Sequence, residues 1–240
     1  MLMRHPAAAV WAVLLLAGGS TAVAQVGHPP DRSPYRDLPY GRTFEFQGGY
    51  FGGAGGNFGM GPHDGTTYGV RADFRISNPL QLGFSVTYDD LNREVVIPYD
   101  SIQKRFKGSY PTSVVMIEGV LQFNLTGRKT WHNLAPYVTG SFGIAFGGDV
   151  GVDSSAYNFG TKAVLAPGMG VRWFLTRKLF IRLETKWNFW KLSYPAGFAF
   201  DPPGSPGTPP GSNALIRDGH FTDWTGSFRG IVGLGYPLPF

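Results

Sequence analysis

Ten charged side chains stand at alternate positions in segments whose intervening positions are mostly apolar. Arg71, Asp73 and Arg75, for instance, are separated by single apolar residues. In an extended strand, alternate side chains point to the same face. Such a row of opposite charges can form buried ion pairs or can line a path for ions. The full set is Glu45, Arg71, Asp73, Arg75, Glu118, Arg172, Arg182, Glu184, Lys186 and Arg229.

A second set of polar residues, two histidines and three aspartates, has side chains suited to acid–base chemistry. His63 and Asp64 are adjacent, and Asp218, His220 and Asp223 lie close together near the end of the chain. A histidine with a carboxylate partner can act as a general base. Histidines that are simply solvated in loops are the simpler interpretation. We therefore expect neither a catalytic site nor a metal site in this set, and no cofactor.

The N-terminus predicts export. Arg4 and His5 precede an apolar run over residues 7–17, and small residues at 22–24 form a cleavage site before Gln25. The run is shorter than the roughly 20 residues that a transmembrane helix needs, so residues 1–24 are predicted to be a signal peptide that is removed. The chain has no cysteine, which excludes disulfides and thiolate metal ligands.

The composition favours strands and turns. The chain has 35 glycines, 19 phenylalanines, 11 tyrosines and 6 tryptophans, and only 15% of its residues are charged. No segment after the signal peptide has 18 consecutive apolar residues, which excludes a bundle of transmembrane helices. The net charge of +5 is scattered along the chain, so we expect no nucleic-acid partner.

In eight segments, apolar and polar residues alternate over a length that can cross a bilayer. A tilted strand needs about 9–11 residues for this. Their apolar faces suit lipid and their polar faces a closed interior. This pattern predicts an all-β fold, an eight-stranded antiparallel up-and-down transmembrane β-barrel over residues 43–240, preceded by a periplasmic lead at 25–42. In the sixth segment, Pro167 predicts a bulge. The segments are 44–50, 68–76, 80–89, 115–125, 137–146, 162–173, 179–189 and 224–240.

The connections between these segments alternate in length. Short turns are predicted at 77–79, 126–133 and 176–178, and longer connections follow the first, third, fifth and seventh segments. Outer-membrane barrels have short periplasmic turns and long extracellular loops. The alternation therefore places the N-terminus in the periplasm. The longest loop, 191–221, contains a proline- and glycine-rich tract that we expect to be mobile.

With these features, the mature chain resembles the small eight-stranded outer-membrane barrels, the family typified by the OmpA membrane domain and OmpX. The most specific similarity is the end of the chain, where apolar residues occupy every second position up to a final phenylalanine. The resemblance implies a monomer in the bacterial outer membrane, in contact with lipid and lipopolysaccharide. It also implies that the barrel-assembly machinery recognises the last strand through Val232, Leu234, Tyr236, Leu238 and Phe240. Pro237 and Pro239 depart from the family pattern.

The interior of an eight-stranded barrel is just wide enough for side chains to fill it. We therefore expect the charged row to be structural and the function to lie in the extracellular loops, as a non-enzymatic protein that supports envelope integrity or surface interaction. Lys104, Arg105 and Lys107 are candidates for contact with lipopolysaccharide phosphates. A narrow or gated pore is the alternative, and the excess of basic residues would then favour anions.

An outer-membrane hydrolase is a further, less favoured alternative. The Asp218-Gly219-His220 spacing is similar to that of the outer-membrane proteases, but those have ten strands and need a longer chain. A lipid A deacylase of the PagL type has eight strands. However, its His-x-Ser pattern is not met by His220, Phe221 and Thr222.

Overall fold

The computed structural model describes residues 33–38, 40–53, 55–204 and 209–238. The predicted signal peptide, half of the predicted lead and Phe240 lie outside these ranges. No helix in the described ranges is long and apolar enough to cross a membrane. The elements are strands β1 (Tyr35–Asp37), β2 (Arg42–Gly53), β3 (His63–Arg75), β4 (Leu80–Val96), β5 (Phe106–Asn124), β6 (Lys129–Trp131), β7 (Leu134–Gly147), β8 (Thr161–Phe174), β9 (Phe180–Ser193) and β10 (Thr222–Leu238), and a 3₁₀ turn at Ala196–Ala199.

Eight long strands close into a single antiparallel barrel in the order β2, β3, β4, β5, β7, β8, β9, β10. The seam is the pairing of β2 with β10, which runs without interruption from Arg42 opposite Leu238 to Gly53 opposite Ser227. The short strands β1 and β6 pair with each other at the periplasmic end. The predicted fold class and number of barrel strands are confirmed.

The alternating residues of each strand point to opposite sides of the barrel wall, with the apolar ones on the outer surface. Phe46, Phe142, Leu165 and Leu234 lie on four different strands, and between 52% and 66% of each residue is exposed. Apolar side chains cover the outward face of all eight strands in the same way. A soluble monomer rarely exposes so large an apolar surface, whereas lipid requires one.

Two strands extend well beyond the predicted segments. β4 has 17 residues and β5 has 19, and they remain paired up to Val96 opposite Phe106. The predicted segments, 80–89 and 115–125, were too short because the outward side chains become polar beyond Tyr88, as at Asp90 and Asn92. That change ends the apolar alternation, but the backbone pairing continues outside the lipid.

The bulge predicted at Pro167 is absent. Pro167 pairs in register with Gly140 of β7. On the other side, the pairing with β9 passes from Leu165–Phe189 to Gly168–Lys186 without a change of register. A proline in an edge-free barrel removes one backbone donor, but its fixed φ is compatible with an extended strand. The ladder is therefore interrupted locally and the strand is not displaced.

We expect the seam to be sensitive to one added methyl group. A Cβ atom at Gly49 would lie 1.9 Å from the carbonyl oxygen of Gly230 and 3.0 Å from the Cα of Ile231. Gly49→Ala should therefore force β2 and β10 apart and lower the free energy of unfolding by about 1–3 kcal/mol. The measurement is urea unfolding in phospholipid vesicles, followed by the gel-mobility shift of the folded barrel. Gly140→Ala is the control, because a Cβ there meets nothing within 4 Å. Equal unfolding midpoints for the two variants would contradict the expectation.

Candidate functional site

The inward side chains of the barrel form two levels of opposite character. The periplasmic half and the middle hold charged and amide side chains, and the extracellular end holds aromatic and aliphatic side chains. Both levels are buried, but they are stabilised differently. The first depends on ion pairs, which are costly unless each charge finds partners. The second depends on apolar packing.

Arg182 on β9 is the centre of the charged level. Its Nε lies 2.7 Å from Oε2 of Glu45, its Nη2 lies 2.5 Å from Oδ2 of Asp73, and its Nη1 lies 3.3 Å from Oε2 of Glu184. Arg71 contacts two of the same carboxylates, with its Nε 2.8 Å from Asp73 and its Nη1 2.9 Å from Glu184. Two arginines therefore hold three carboxylates that come from three strands.

Neutral side chains complete this group. Both Arg71 and Arg182 donate to Oε1 of Gln122, at 2.9 and 2.8 Å. The Tyr137 hydroxyl donates to Oε2 of Glu184 at 2.7 Å. These contacts add β5 and β7 to the strands that the ion pairs join. The side chains thus cross-link opposite walls of the barrel.

Glu118 is the centre of a second ion-pair group nearer the middle of the barrel. It pairs with Nη2 of Arg229, and its Oε1 lies 3.4 Å from Nζ of Lys186. The Ser141 hydroxyl donates to the same Oε1 at 2.7 Å. Lys186 also lies 3.5 Å from Glu184, which links the two groups. The ion pairs therefore form a continuous network along the interior.

Arg172 and Arg75 were predicted for this row, and the structure places them differently from the other eight. Arg172 is buried, donates to Oδ1 of Asn124 at 2.9 Å and lies over the rings of Phe174 and Phe180. Arg75 is only half-buried, because it is the last residue of β3 and reaches the barrel rim. Its Nη2 donates to the carbonyl oxygen of Leu38 at 3.1 Å, so it braces the segment before β2 and does not belong to the interior network.

Asp89 was left out of the predicted row, although the structure buries it completely on the inward face of β4. Its Oδ2 accepts a hydrogen bond from Thr87 at 3.4 Å. With Arg75 removed and Asp89 added, the row has equal numbers of basic and acidic side chains, and the buried Arg93–Asp153 pair adds one of each, so the expected excess of basic residues disappears. The five of each kind are Arg71, Arg172, Arg182, Lys186 and Arg229 against Glu45, Asp73, Asp89, Glu118 and Glu184.

The extracellular level is a cap in which the loops fold into the mouth of the barrel. The Trp190 ring stacks on Phe51 with centroids 5.6 Å apart and meets Phe159 edge-on at 5.3 Å. Tyr194 and Phe198 from the longest loop belong to the same buried cluster. We use the name apolar cap for this cluster, which comprises Phe51, Met60, Leu91, Val96, Val114, Met116, Ala145, Tyr157, Phe159, Val164, Trp190, Leu192, Tyr194, Phe198 and Ile216.

Polar contacts tie the loops of the apolar cap to the barrel. Nη2 of Arg93 on β4 lies 2.7 Å from Oδ2 of Asp153, and its guanidinium lies 5.2 Å from the centre of the Tyr157 ring. Burial raises the pKa of Tyr157. Burial and the nearby Asp223 carboxylate raise the pKa of Tyr194 to about 12, so both phenols are neutral at physiological pH. Sequence reasoning missed Arg93 and Asp153 because they lie beyond the apolar alternation that marked the strands.

The longest loop is fixed on both sides of the residues that the structure leaves undescribed. The carboxylate of Asp201 accepts hydrogen bonds from the backbone N–H groups of Gly211 at 2.6 Å and Asn213 at 2.7 Å. Ile216 is buried in the apolar cap. The tract that we expect to be mobile spans residues 202–211, of which 205–208 lie outside the described ranges.

The histidines of the loops make separate local contacts. Nδ1 of His63 lies 3.3 Å from Oδ2 of Asp64, whereas Oδ1 of Asp218 accepts from the backbone N–H of His220. The two loops do approach each other, because Asp223 accepts from the backbone N–H of Asn57 at 2.9 Å. In the described part of the chain, no group of three or more histidine or acidic side chains is arranged to hold a metal ion.

The three basic residues predicted to contact lipopolysaccharide lie near the tip of the β4–β5 hairpin, and two of them have partners within the protein. Lys107 pairs with Asp100. Arg105 is half-buried, and its Nη1 donates to the carbonyl oxygen of Asn213 at 3.0 Å. Lys104 is exposed and has no ion pair or side-chain hydrogen bond within the described ranges.

The residues predicted as the assembly signal follow the outward face of β10. Val232, Leu234, Tyr236 and Leu238 are all exposed on the lipid side. Pro237 pairs with Thr43 on β2, while the pairing of β10 with β9 ends at Gly235. Recognition by the assembly machinery stays a prediction.

Comparisons with known proteins give similarity of fold. No family model matches the chain, and no curated protein matches its sequence. The outer membrane protein OprG from Pseudomonas aeruginosa is 11% identical and superposes with a TM-score of 0.50 over 82% of this chain and 96% of its own. Neisserial surface protein A is 13% identical over 86% and 98%, with a TM-score of 0.45. The N-terminal β-barrel domain of Pseudomonas aeruginosa OprF is 12% identical over 81% and 96%, with a TM-score of 0.42.

The closed barrel and its apolar exterior define a small eight-stranded outer-membrane β-barrel protein. The similarity to OprG supports this fold. The resemblance inferred from the sequence is confirmed at the level of the fold, and the chain is a protein of the bacterial outer membrane.

We expect Arg182 to contribute more to stability than any surface charge. Arg182→Met would leave the carboxylates of Glu45, Asp73 and Glu184 short of a partner in a buried site, which costs about 3–5 kcal/mol. Adding Glu45→Gln should restore part of this loss, because one of the unpaired carboxylates is then neutral. The measurement is the free energy of unfolding in urea, in phospholipid vesicles. Arg75→Met is the control, with an expected cost of about 1–2 kcal/mol for contacts at the rim. A variant at Arg182 that unfolds no more easily than this control would refute the importance of the network.

Proposed function

We propose that this protein is a non-enzymatic barrel that does not conduct ions and that acts at the cell surface through its extracellular loops. The observation that carries this proposal is the double closure of the interior. An ion-pair network fills the periplasmic half, and the apolar cap fills the extracellular mouth.

The network argues against a permanent pore. An eight-stranded barrel has room for its own side chains and little else. Here the side chains of Arg71 and Arg182 extend from opposite walls to the same Gln122 and Glu184. An ion could pass only if several of these contacts exchanged partners together and the apolar cap moved aside.

The loop geometry argues against hydrolysis. A general base needs a carboxylate or carbonyl that orients it and a reacting group within reach. His63 has such a carboxylate in Asp64, but the side chain of Asp218 is bonded to backbone near His220. The carboxylates next to the two histidines therefore make different local contacts, which supports a non-enzymatic role.

We expect planar bilayers that contain the folded protein to stay silent at both voltage polarities. The filled interior leaves no continuous path for ions, and Glu118→Gln should be equally silent. Folding of the inserted protein is checked by the gel-mobility shift of the same preparation. Stepwise conductance in the wild-type protein that changes in Glu118→Gln would overturn the closed-barrel proposal and favour the pore.

The surface that would make contact is the β4–β5 hairpin, which extends past the apolar band of the barrel. Its tip exposes Tyr99, Ile102 and Phe106, and Lys104 adds a positive charge. An aromatic and basic tip at this height is suited to the polar part of lipopolysaccharide, where phosphates attract lysine as a point charge. We infer that Lys104 is the principal contact of the three basic residues, because Arg105 and Lys107 already have partners.

Lys104→Gln should weaken binding of lipopolysaccharide about fivefold, since one lysine near an anionic surface contributes about 1 kcal/mol. Lys107→Gln is the matched control in the same hairpin, and its effect should be below about twofold because its charge is balanced by Asp100. Titration of the detergent-solubilised protein with fluorescent lipopolysaccharide measures both. Equal affinities of Lys104→Gln and the wild-type protein would remove this contact from the proposal.

A further inference from the structure

The periplasmic end of the barrel has a cavity of about 600 Å³ that neither the ion-pair network nor the apolar cap includes. Three arginines from three separate segments line it. Arg36 belongs to β1, Arg128 to the turn before β6, and Arg177 to the turn between β8 and β9. Asp37 is the one carboxylate among the lining residues. The cavity therefore carries three positive charges against one negative charge.

The three arginines are available to a ligand. None of them forms an ion pair or a side-chain hydrogen bond with another of the described residues. Arginine presents a planar fork of donors that matches the oxygen atoms of phosphate or carboxylate groups. Three such side chains around one cavity favour a ligand with anionic oxygen atoms.

The walls of the cavity are held by the backbone of the barrel. The N–H of Leu38 donates to the carbonyl oxygen of Arg128 at 2.8 Å, and the N–H of Phe174 donates to that of Asn133 at 2.9 Å. Arg75 holds the carbonyl oxygen of Leu38 from the other side. The arginine-bearing segments are therefore fixed relative to the ends of β3 and β8.

Part of the cavity lining is apolar. Leu38 and Phe174 belong to a buried cluster inside the end of the barrel, whereas Leu175 lies on the outward face and adjoins the lipid. Leu175 and its neighbour Trp173 are also exposed on the outer surface of the barrel. The cavity thus lies at the boundary between the lipid-facing surface and the periplasm. A ligand with an anionic head and an apolar body fits both sides of this boundary.

We propose that this cavity binds the phosphate headgroup of an anionic phospholipid, with Arg36, Arg128 and Arg177 on the phosphate and the acyl chains beside Trp173 and Leu175. The site lies at the opposite end of the barrel from the loops and is independent of the function proposed above. A soluble phosphate would satisfy the arginines alone. Only a lipid would also contact the apolar part of the cavity lining.

The test compares two double variants of the full chain in detergent micelles, titrated with phosphatidylglycerol or phosphatidylcholine and followed by native mass spectrometry. The wild-type protein should bind phosphatidylglycerol at least about tenfold more tightly than phosphatidylcholine. Arg128→Gln/Arg177→Gln should lose about tenfold in affinity for phosphatidylglycerol. Lys129→Gln/Lys178→Gln removes the same charge from the two neighbouring positions, outside the cavity lining, and should change the affinity by less than about twofold.

Three results would overturn the site. Equal affinity of the wild-type protein for both lipids would show that the cavity does not select an anion. Equal losses in the two double variants would show a general effect of surface charge. Displacement of phosphatidylglycerol by an equal concentration of inorganic phosphate would show that free phosphate, and not a lipid, is the ligand. The gel-mobility shift confirms that each variant is folded.

Discussion

In lipid, every backbone N–H and C=O group must be hydrogen-bonded within the protein, and the rest of this structure depends on that constraint. The pairing of β2 with β10 satisfies it by leaving no open strand edge. Closure also sets the width of the interior, and therefore which inward side chains can meet. Glu45 and Arg182 are 137 residues apart in the chain, yet their side chains are hydrogen-bonded at 2.7 Å.

The narrow interior explains why the charges form a network and not isolated pairs. A buried carboxylate that lacks a partner is costly, and eight strands bring several inward charges within reach of one another. Arg182 contacts three carboxylates, and Lys186 bridges the two groups through Glu118 and Glu184. Above this level the same width is filled by Trp190 and its aromatic neighbours. The two ends of the barrel are left as the surfaces where ligands can bind.

The two ends differ in chemistry because different parts of the chain form them. At the extracellular end, long connections fold inward onto Phe51 and Trp190, and the β4–β5 hairpin projects outward. At the periplasmic end, short turns and the segment before β2 surround a cavity with Arg128 and Arg177. Arg75 shows how position decides the contribution of a residue. It continues the charged alternation of β3, but at the rim it binds a backbone carbonyl and supports the cavity wall.

The sequence by itself determined the eight barrel strands, their inward and outward faces and the order of short and long connections, because lipid on one side and a closed interior on the other impose a period of two on each strand. Only the tertiary structure decided which charges pair, including Arg93 with Asp153. It also decided that Asp89, and not Arg75, lies in the interior of the barrel, and that Pro167 leaves the strand register unchanged. These outcomes depend on strand register and on distances across the barrel. A local alternation of apolar and polar residues contains neither.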